Sequence, residues 1–495
     1  MTHTAPLLRR AVLLPIACAL ALLGSGCAMI RNDSAPMAQI DTQQIRLADD
    51  IKLARDGWPQ AQWWQRYNDA QLNALIAQAL KDAPSMTIAK ARVDTAGAQA
   101  AFADANTGLL VGATASLNRQ SVSENGYLGP FAQNAPALGL TGPWYTEGTI
   151  GIVASYSFDF WGKERAQVDA ALGVQNAKLA EAAQAELVLS SQVTQIYYDI
   201  QALNATLALL RQASAIETEM VAAHTARADR GLESRTMVEL VRVHKLELDK
   251  QIAGTDNKVR VLSETLRMLV GAKSGDAFTI KPAPLPASAG EMPTSLGYDL
   301  LARRPDLQAM RWYVQASLDG VDAARAAFYP SFDIKGFLGL DALHLADLLH
   351  KSSRQINLVP GLTLPLFDSG RLNANLKTVR ANSDVTIAQY NAAVTNAVRE
   401  VAQAGIELQG LQQQAEIQNA KLKATTFAAD SAAAHYERGL ADRVAAMEAR
   451  LPLLFEQGQQ LALRSKQINT EIALTASLGG GYQASNDPQR TASAK

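Results

Sequence analysis

Phe158-Asp159-Phe160-Trp161-Gly162-Lys163 and Leu366-Phe367-Asp368-Ser369-Gly370-Arg371 decide the reading of this chain, because the second stretch repeats the first. Gly162 and Gly370 are 208 residues apart, and so are the glycines of Arg230-Gly231-Leu232 and Arg438-Gly439-Leu440. Each pair of glycines brackets the same interval of 69 residues. Self-similarity at one fixed offset is the signature of a duplicated structural unit. Neither interval contains proline; the first holds only Gly173 and the second only Gly405 and Gly410. Each therefore reads as a single long helix.

The apolar spacing agrees. Leu189, Val193, Ile196, Ile200, Leu203, Leu207 and Leu210 alternate steps of four and three. Ile387, Tyr390, Val394, Ala397, Val401, Ala404, Leu408 and Leu411 alternate in the same way. Adding the offset puts Leu189 on Ala397, Val193 on Val401 and Ile200 on Leu408, so the heptad register is duplicated too. A 3.5-residue repeat specifies coiled-coil seams and left-handed supercoiling. At about 1.5 Å per residue, such helices are roughly 100 Å long. No compact globular domain needs helices of that length.

A pair of strands precedes each helix. Ile150, Ile152, Ala154, Tyr156, Phe158 and Phe160 alternate with smaller or polar residues, and Phe332, Ile334, Gly336, Leu338 and Leu340 alternate with Ser331, Asp333, Lys335, Phe337 and Gly339. Val111–Arg119 and Ile356–Leu366 behave similarly, though less cleanly. Strands of about ten residues with one apolar face suit a membrane barrel, although a pair of sandwich strands has the same local pattern. Four strands cannot close a spanning barrel, which needs at least about eight. The missing strands must come from other copies of the chain.

The two ends and the middle are of another kind. Arg9-Arg10 precede an apolar run from Ala11 to Leu23, followed by Gly24-Ser25-Gly26-Cys27. A basic start, a short apolar run and small residues describe a secretory signal over 1–26. Its end resembles a bacterial lipobox, in which the cysteine becomes the lipidated mature N-terminus. Leu23 stands four residues before Cys27 rather than the usual three, and cleavage near Ser25 would leave a free thiol instead. Ala28 after the cysteine favours the outer membrane. Residues 27–70 form an N-terminal segment, 71–271 the first repeat, 272–295 a Pro- and Ala-rich connector, 296–481 the second repeat and 482–495 a tail. The loop between Ser121 and Gly148, rich in Gly, Pro and Asn, should face outward.

Composition narrows the function. Lys+Arg number 46 against 47 Asp+Glu, for a net charge of −1, so the chain is no basic nucleic-acid binder. Aromatics make up 6% against 48% for the whole hydrophobic class. The six histidines, His3, His224, His244, His344, His350 and His435, form no pair at metal-binding spacing, and both cysteines precede residue 28. Neither a metal site nor a disulfide framework is expected in the body. There is no phosphate loop of the G-x-x-x-x-G-K-[ST] kind, and no Ser/His/Asp arrangement has local support. No catalytic site is expected.

Trp63-Trp64 with Asp69-Ala70-Gln71-Leu72-Asn73-Ala74-Leu75-Ile76 resembles the start of the TolC/OprM-type outer-membrane efflux proteins, in their lipoprotein branch. Arg303-Arg304-Pro305-Asp306-Leu307, Ala327-Phe328-Tyr329-Pro330-Ser331-Phe332, Pro365-Leu366-Phe367-Asp368-Ser369-Gly370-Arg371 and Leu478-Gly479-Gly480-Gly481-Tyr482 carry the same likeness. It spans essentially the whole mature chain. The resemblance implies a mainly α protein with a membrane β-barrel: a homotrimer whose 12-stranded barrel continues into a 12-helix periplasmic barrel. It implies a periplasmic adaptor and an inner-membrane pump as partners, outer-membrane lipid around the barrel, and no cofactor beyond diacylglyceryl and N-acyl groups on Cys27. The function implied is passive export of drugs or toxic small molecules. A duct for peptide or protein secretion, and a structural coiled-coil surface lipoprotein, remain open at this point.

The same likeness assigns site residues. Arg230, Gly231 and Leu232, with Arg438, Gly439 and Leu440, become tips that dock the adaptor. Aligned on Gly439, Val444 and Glu448 fall at constricting positions and Tyr436 in a closing hydrogen-bond network. Val444 and Glu448 are also four residues apart, hence on one helical face, while the first repeat has Leu240 where the second has Glu448. The competing reading makes Glu448 a solvated charge beside Arg443 and Arg450.

Overall fold

A computed structural model of the chain describes residues 30, 33–40, 58–123, 125–126, 142–273, 275–287 and 303–483. The expected signal, Cys27, most of the loop between Ser121 and Gly148, the end of the connector and most of the tail lie outside these residues. Among the described residues, eight α-helices and four strands follow one another: α1 (Ala70–Asp82), α2 (Pro84–Ala105), β1 (Leu110–Ser121), β2 (Trp144–Phe158), α3 (Lys163–Asp229), α4 (Arg235–Leu269), α5 (Pro305–Ala326), β3 (Ser331–Ala342), β4 (Arg354–Thr363), α6 (Arg371–Glu437), α7 (Arg443–Glu448) and α8 (Arg450–Ser477). The sequence expectation of two matched long helices holds, for α3 and α6 have 67 residues each.

The duplicated aspartates explain where these helices begin. The first backbone N–H groups of a helix have no partner within it, and a side-chain oxygen just before the helix supplies one. Asp159 Oδ2 accepts from the Arg165 N–H at 2.8 Å, and Asp368 Oδ2 accepts from the Leu372 N–H at 2.6 Å. The strands stop slightly earlier than their patterns suggest. β2 ends at Phe158, and β4 ends at Thr363, two residues before Pro365, which has no N–H to continue the ladder.

The chain divides into two compact units. One takes Thr95–Gln175 and Trp312–Ala388 with the described residues up to Ala38. It holds a single antiparallel sheet in the order β1-β2-β3-β4, so strands from both repeats join one sheet. Its helical part is sealed by Val321 and Ala324 on α5, and Phe328 just after it, against Leu372 and Leu376 on α6.

The second unit takes Gln39–Asp94, Asn176–Arg311 and Gln389–Lys495. Its main core gathers Trp63, Leu72, Ile76, Tyr197, Tyr198, Ile200, Leu266 and Ile472. The Arg-Arg-Pro-Asp and Gly-Gly-Gly motifs meet here. Buried Arg304 pairs with Asp306 at 2.7 Å and Glu400 at 2.9 Å, and donates to the Ser477 carbonyl at 3.0 Å. Gly479, at φ +87°, passes so close to the Arg303 carbonyl that a Cβ there would run into it. The seam read on α6 is buried at every position from Ile387 to Leu411.

Candidate functional site

The sheet has two unlike faces. Successive side chains of a strand point to opposite sides. Register places Ile150 opposite Leu340, Ile152 opposite Leu338, Tyr156 opposite Ile334 and Phe158 opposite Phe332. β4 extends this face with Ile356, Leu358 and Leu362 and β1 with Val111 and Leu117, all of them exposed. A contiguous exposed apolar surface this wide calls for lipid or a partner. The opposite face carries Glu147, Thr149, Ser155, Asp333, Lys335, Asp341, Gln355 and Asn357, and Thr149 donates to Asp341 at 2.8 Å.

Aromatic rings gather where the strands give way to helices. Phe158 and Phe160 stack at 5.6 Å, Phe160 meets Phe332 at 5.2 Å, and Trp161 stacks on Tyr329 at 4.8 Å. The Trp161 indole N–H donates to the Pro330 carbonyl at 2.9 Å. Rings with an apolar body and a polar tip belong at a membrane–water interface. β1 and β4 each have one strand neighbour among the described residues, which leaves one edge of each unpaired. Backbone groups on such edges cannot stay unsatisfied in lipid.

On the second unit, the helix tips are built identically. Leu232 N–H donates to the Arg227 carbonyl at 3.0 Å and Gly231 N–H to that of Ala228 at 2.9 Å. Leu440 N–H donates to the His435 carbonyl at 2.8 Å and Gly439 N–H to that of Tyr436 at 2.9 Å. This bond pair needs a left-handed residue, and the two glycines supply it at φ +67° and +73°. The turns hold Leu232 and Leu440 outward, 75% and 72% exposed, with Arg230 and Arg438 exposed beside them.

The residues expected at a constriction separate. Tyr436 is 44% exposed and Glu448 is exposed. Val444 is only 6% exposed, packed with Ala213, Ile216, Met220, Val241, Met447 and Leu454. Four-residue spacing on α7 thus does not present the two side chains together, because the helix lies along α3 with Val444 underneath. Two ion pairs hold it there: Arg443 to Glu219 at 2.5 Å, and Asp442 to Arg227 at 2.7 Å. Asp442 also caps α7, accepting from the Ala445 N–H at 2.8 Å. Arg443 is therefore turned to Glu219 rather than to Glu448.

Sequence reasoning missed three groups beside this tip. Glu217 and His224 on α3 are buried, and Nδ1 of His224 lies 2.7 Å from Oε2 of Glu233 in the turn. Burial pushes the Glu217 carboxyl above the usual range; the Glu448 charge adds to this, while His244 and His224 oppose it. The available signal was a carboxylate between the apolar residues Ile216 and Met220. The described part of the N-terminal segment lies against α5 and α6: Asp33 pairs with Arg325 at 2.6 Å and Arg380 at 3.1 Å, and the Met37 N–H donates to Asp384 at 2.9 Å.

Strands with a lipid-ready face, continued by duplicated helices with glycine-closed tips, define a class of outer-membrane duct. The chain belongs to the outer membrane efflux protein family, whose model matches residues 75–272 and 296–480. It is 51% identical over 460 residues to the multidrug resistance outer membrane protein MdtP of Shigella flexneri, covering 93% of this chain and 94% of that one. It is 39% identical over 479 residues to MdtQ of Escherichia coli O157:H7, covering 94% and 98%. Among solved structures it matches the outer membrane protein VceC of Vibrio cholerae with a TM-score of 0.74 at 30% identity, over 86% of this chain and 100% of that one. The fold is the TolC-like duplicated one.

Proposed function

We propose that this protein is the outer-membrane channel of a tripartite efflux system, passing drugs or toxic small molecules outward without chemistry of its own. The unpaired edges of β1 and β4 carry the reading. In a membrane these edges must pair, and three copies pair them by closing twelve strands, wide enough for a lumen. The four helices α3, α4, α6 and α8 of each copy then continue the wall as twelve. A periplasmic adaptor grips the tips through Arg230, Gly231, Leu232, Arg438, Gly439 and Leu440, and an inner-membrane pump supplies the energy. Cys27 carries the acyl chains that hold the N-terminal segment at the membrane.

The periplasmic end closes at the second-repeat tip. Glu448 and Tyr436 stand exposed there, so three copies bring three carboxylates into one ring that repels itself and attracts cations. Val444 acts from beneath, seating α7. Single-channel recording of the purified protein in planar bilayers tests the duct, with Glu448→Ala expected to raise conductance. Wild-type conductance in that variant removes Glu448 from the gate. A deletion strain with unchanged drug susceptibility but impaired protein secretion would reassign the cargo.

A further inference from the structure

The first-repeat tip carries titratable side chains that the duct itself does not use. Glu217 is 4% exposed, and its Oε2 has no hydrogen-bond partner. His224, two helical turns further along α3, is also 4% exposed. Its Nδ1 is engaged by Glu233 and its Nε2 has no partner. His244 on α4 and Glu448 on α7 lie near enough for their charges to act on Glu217. Glu217 and His244 also line a cavity of about 970 Å³ between α3, α4 and α8, which gives solvent a route to both.

The nearby guanidiniums are engaged elsewhere: Arg227 pairs with Asp442 and Arg443 with Glu219. A buried carboxylate without a partner is expensive to keep ionised and takes up a proton instead.

Duplication shows that the fold does not require this cluster. The positions 208 residues on from Glu217, His224, Glu233 and His244 are Thr425, Ala432, Ala441 and Pro452, none of them titratable. The second repeat makes the same glycine turn without them. The cluster is also placed to act, since α7 rests on Ile216 and Met220, on either side of Glu217.

We propose that buried Glu217 is a proton-binding site that latches α7 onto α3, seating the helix when the carboxyl is protonated and loosening it when it ionises. The consequence for conductance rests on the reading of α7 as the gate; the latch itself does not. The sign follows from burial. A carboxyl raised in the folded state contributes stability that is fully present below its ordinary value and is lost as pH rises through the raised one.

Hydrogen exchange on the full chain in lipid nanodiscs reads the latch directly, through protection of the α7 segment 443–449. Protection factors, which remove the intrinsic pH dependence of exchange, should be higher in acid, below the ordinary Glu range, than near neutrality. Glu217→Gln should keep the acid level at both. Wild-type protection that does not change with pH overturns the latch, as does a Glu217→Gln protein with the full wild-type response. Should that variant fail to assemble, Glu448→Gln removes the repelling charge and should shrink the response, and an undiminished one again overturns the proposal. Conductance measured in parallel separates the two readings. Protection that moves while conductance stays flat overturns the gate and leaves the latch; the reverse overturns the latch and leaves the gate.

Discussion

The turn at Gly231 and the turn at Gly439 close with the same pair of hydrogen bonds, yet the first opens into a helix of 35 residues and the second into one of six. Pro452 accounts for the difference. It stands where the first repeat has His244, and it lacks the N–H that would bond the Glu448 carbonyl four residues back. α7 therefore stops at Glu448, and α8 restarts at Arg450 with Pro452 in its first turn, where a missing N–H leaves no helical bond unmade. The first repeat keeps a continuous α4 and buries Glu217 and His224 on α3. Duplication has supplied one scaffold twice, and divergence at matched positions has made one tip a sensor and the other a short, separately seated helix.

The core under α7 should show this asymmetry most strongly. Met447 is buried with Val444 against α3, so Met447→Ala should lower the opening free energy of α7 by about 2–5 kcal/mol. Its first-repeat counterpart, Glu239, is exposed and pairs only with Arg242. Glu239→Ala should change the opening of α4 by less than about 0.5 kcal/mol. Equal effects, measured by hydrogen exchange at both tips, would mean that α7 is not seated by that core.

The turns themselves should be indistinguishable. A Cβ on Gly231 or Gly439 meets no atom within 4 Å, so only backbone strain separates Ala from Gly at either place. Gly231→Ala and Gly439→Ala should each cost about 1–2 kcal/mol. A clear difference between them would show that one turn is held by something beyond its own hydrogen bonds.

The caps differ again. Asp442 bonds the Ala445 N–H, whereas Ser234 makes no side-chain cap bond. Asp442→Ala should cost about 1 kcal/mol and Ser234→Ala a few tenths. The Ala445 N–H, and after it Arg227, hold the Asp442 carboxyl below the usual carboxylate range. Its contribution is therefore present above the ordinary Asp value and lost as pH falls through the lowered one. Protection of α7 should thus pass through a maximum, lost at strongly acid pH through Asp442 and towards neutrality through Glu217. Asp442→Asn should flatten the acid limb alone.

The parts legible in the sequence were those written along one element. The paired motifs, the four-three spacing of Leu189 to Leu210 and Ile387 to Leu411, and the alternation from Ile150 to Phe158 each need only their own helix or strand. Glu217 was hidden for the opposite reason. A carboxylate on a heptad helix reads as solvent-facing, and only the packing of α4 and α7 over α3 buries it. Val444 and Glu448 illustrate the same limit. Four-residue spacing gives one face of an isolated helix, but a six-residue helix clamped by Arg443–Glu219 and Asp442–Arg227 splits that face between core and solvent. Pro452 was a local signal for the break after Glu448.

The smallest effect on folding is expected where the two tips agree. After a turn of this kind the residue beyond the glycine commonly packs back on the helix end. Leu232 and Leu440 do not, and both stand largely in solvent at matched positions. Their removal exposes no core, so Leu232→Ala and Leu440→Ala should leave stability within about 0.5 kcal/mol of wild type. An apolar side chain held outward by a rigid turn is suited to a partner, and a repeated one is suited to a partner that meets both tips alike. Cross-linking to the adaptor should therefore fall in each single variant and fall furthest in the double. Loss confined to one repeat would mean that the adaptor reads the asymmetry of the tips; undiminished cross-linking in the double variant would move the docking surface off the leucines altogether.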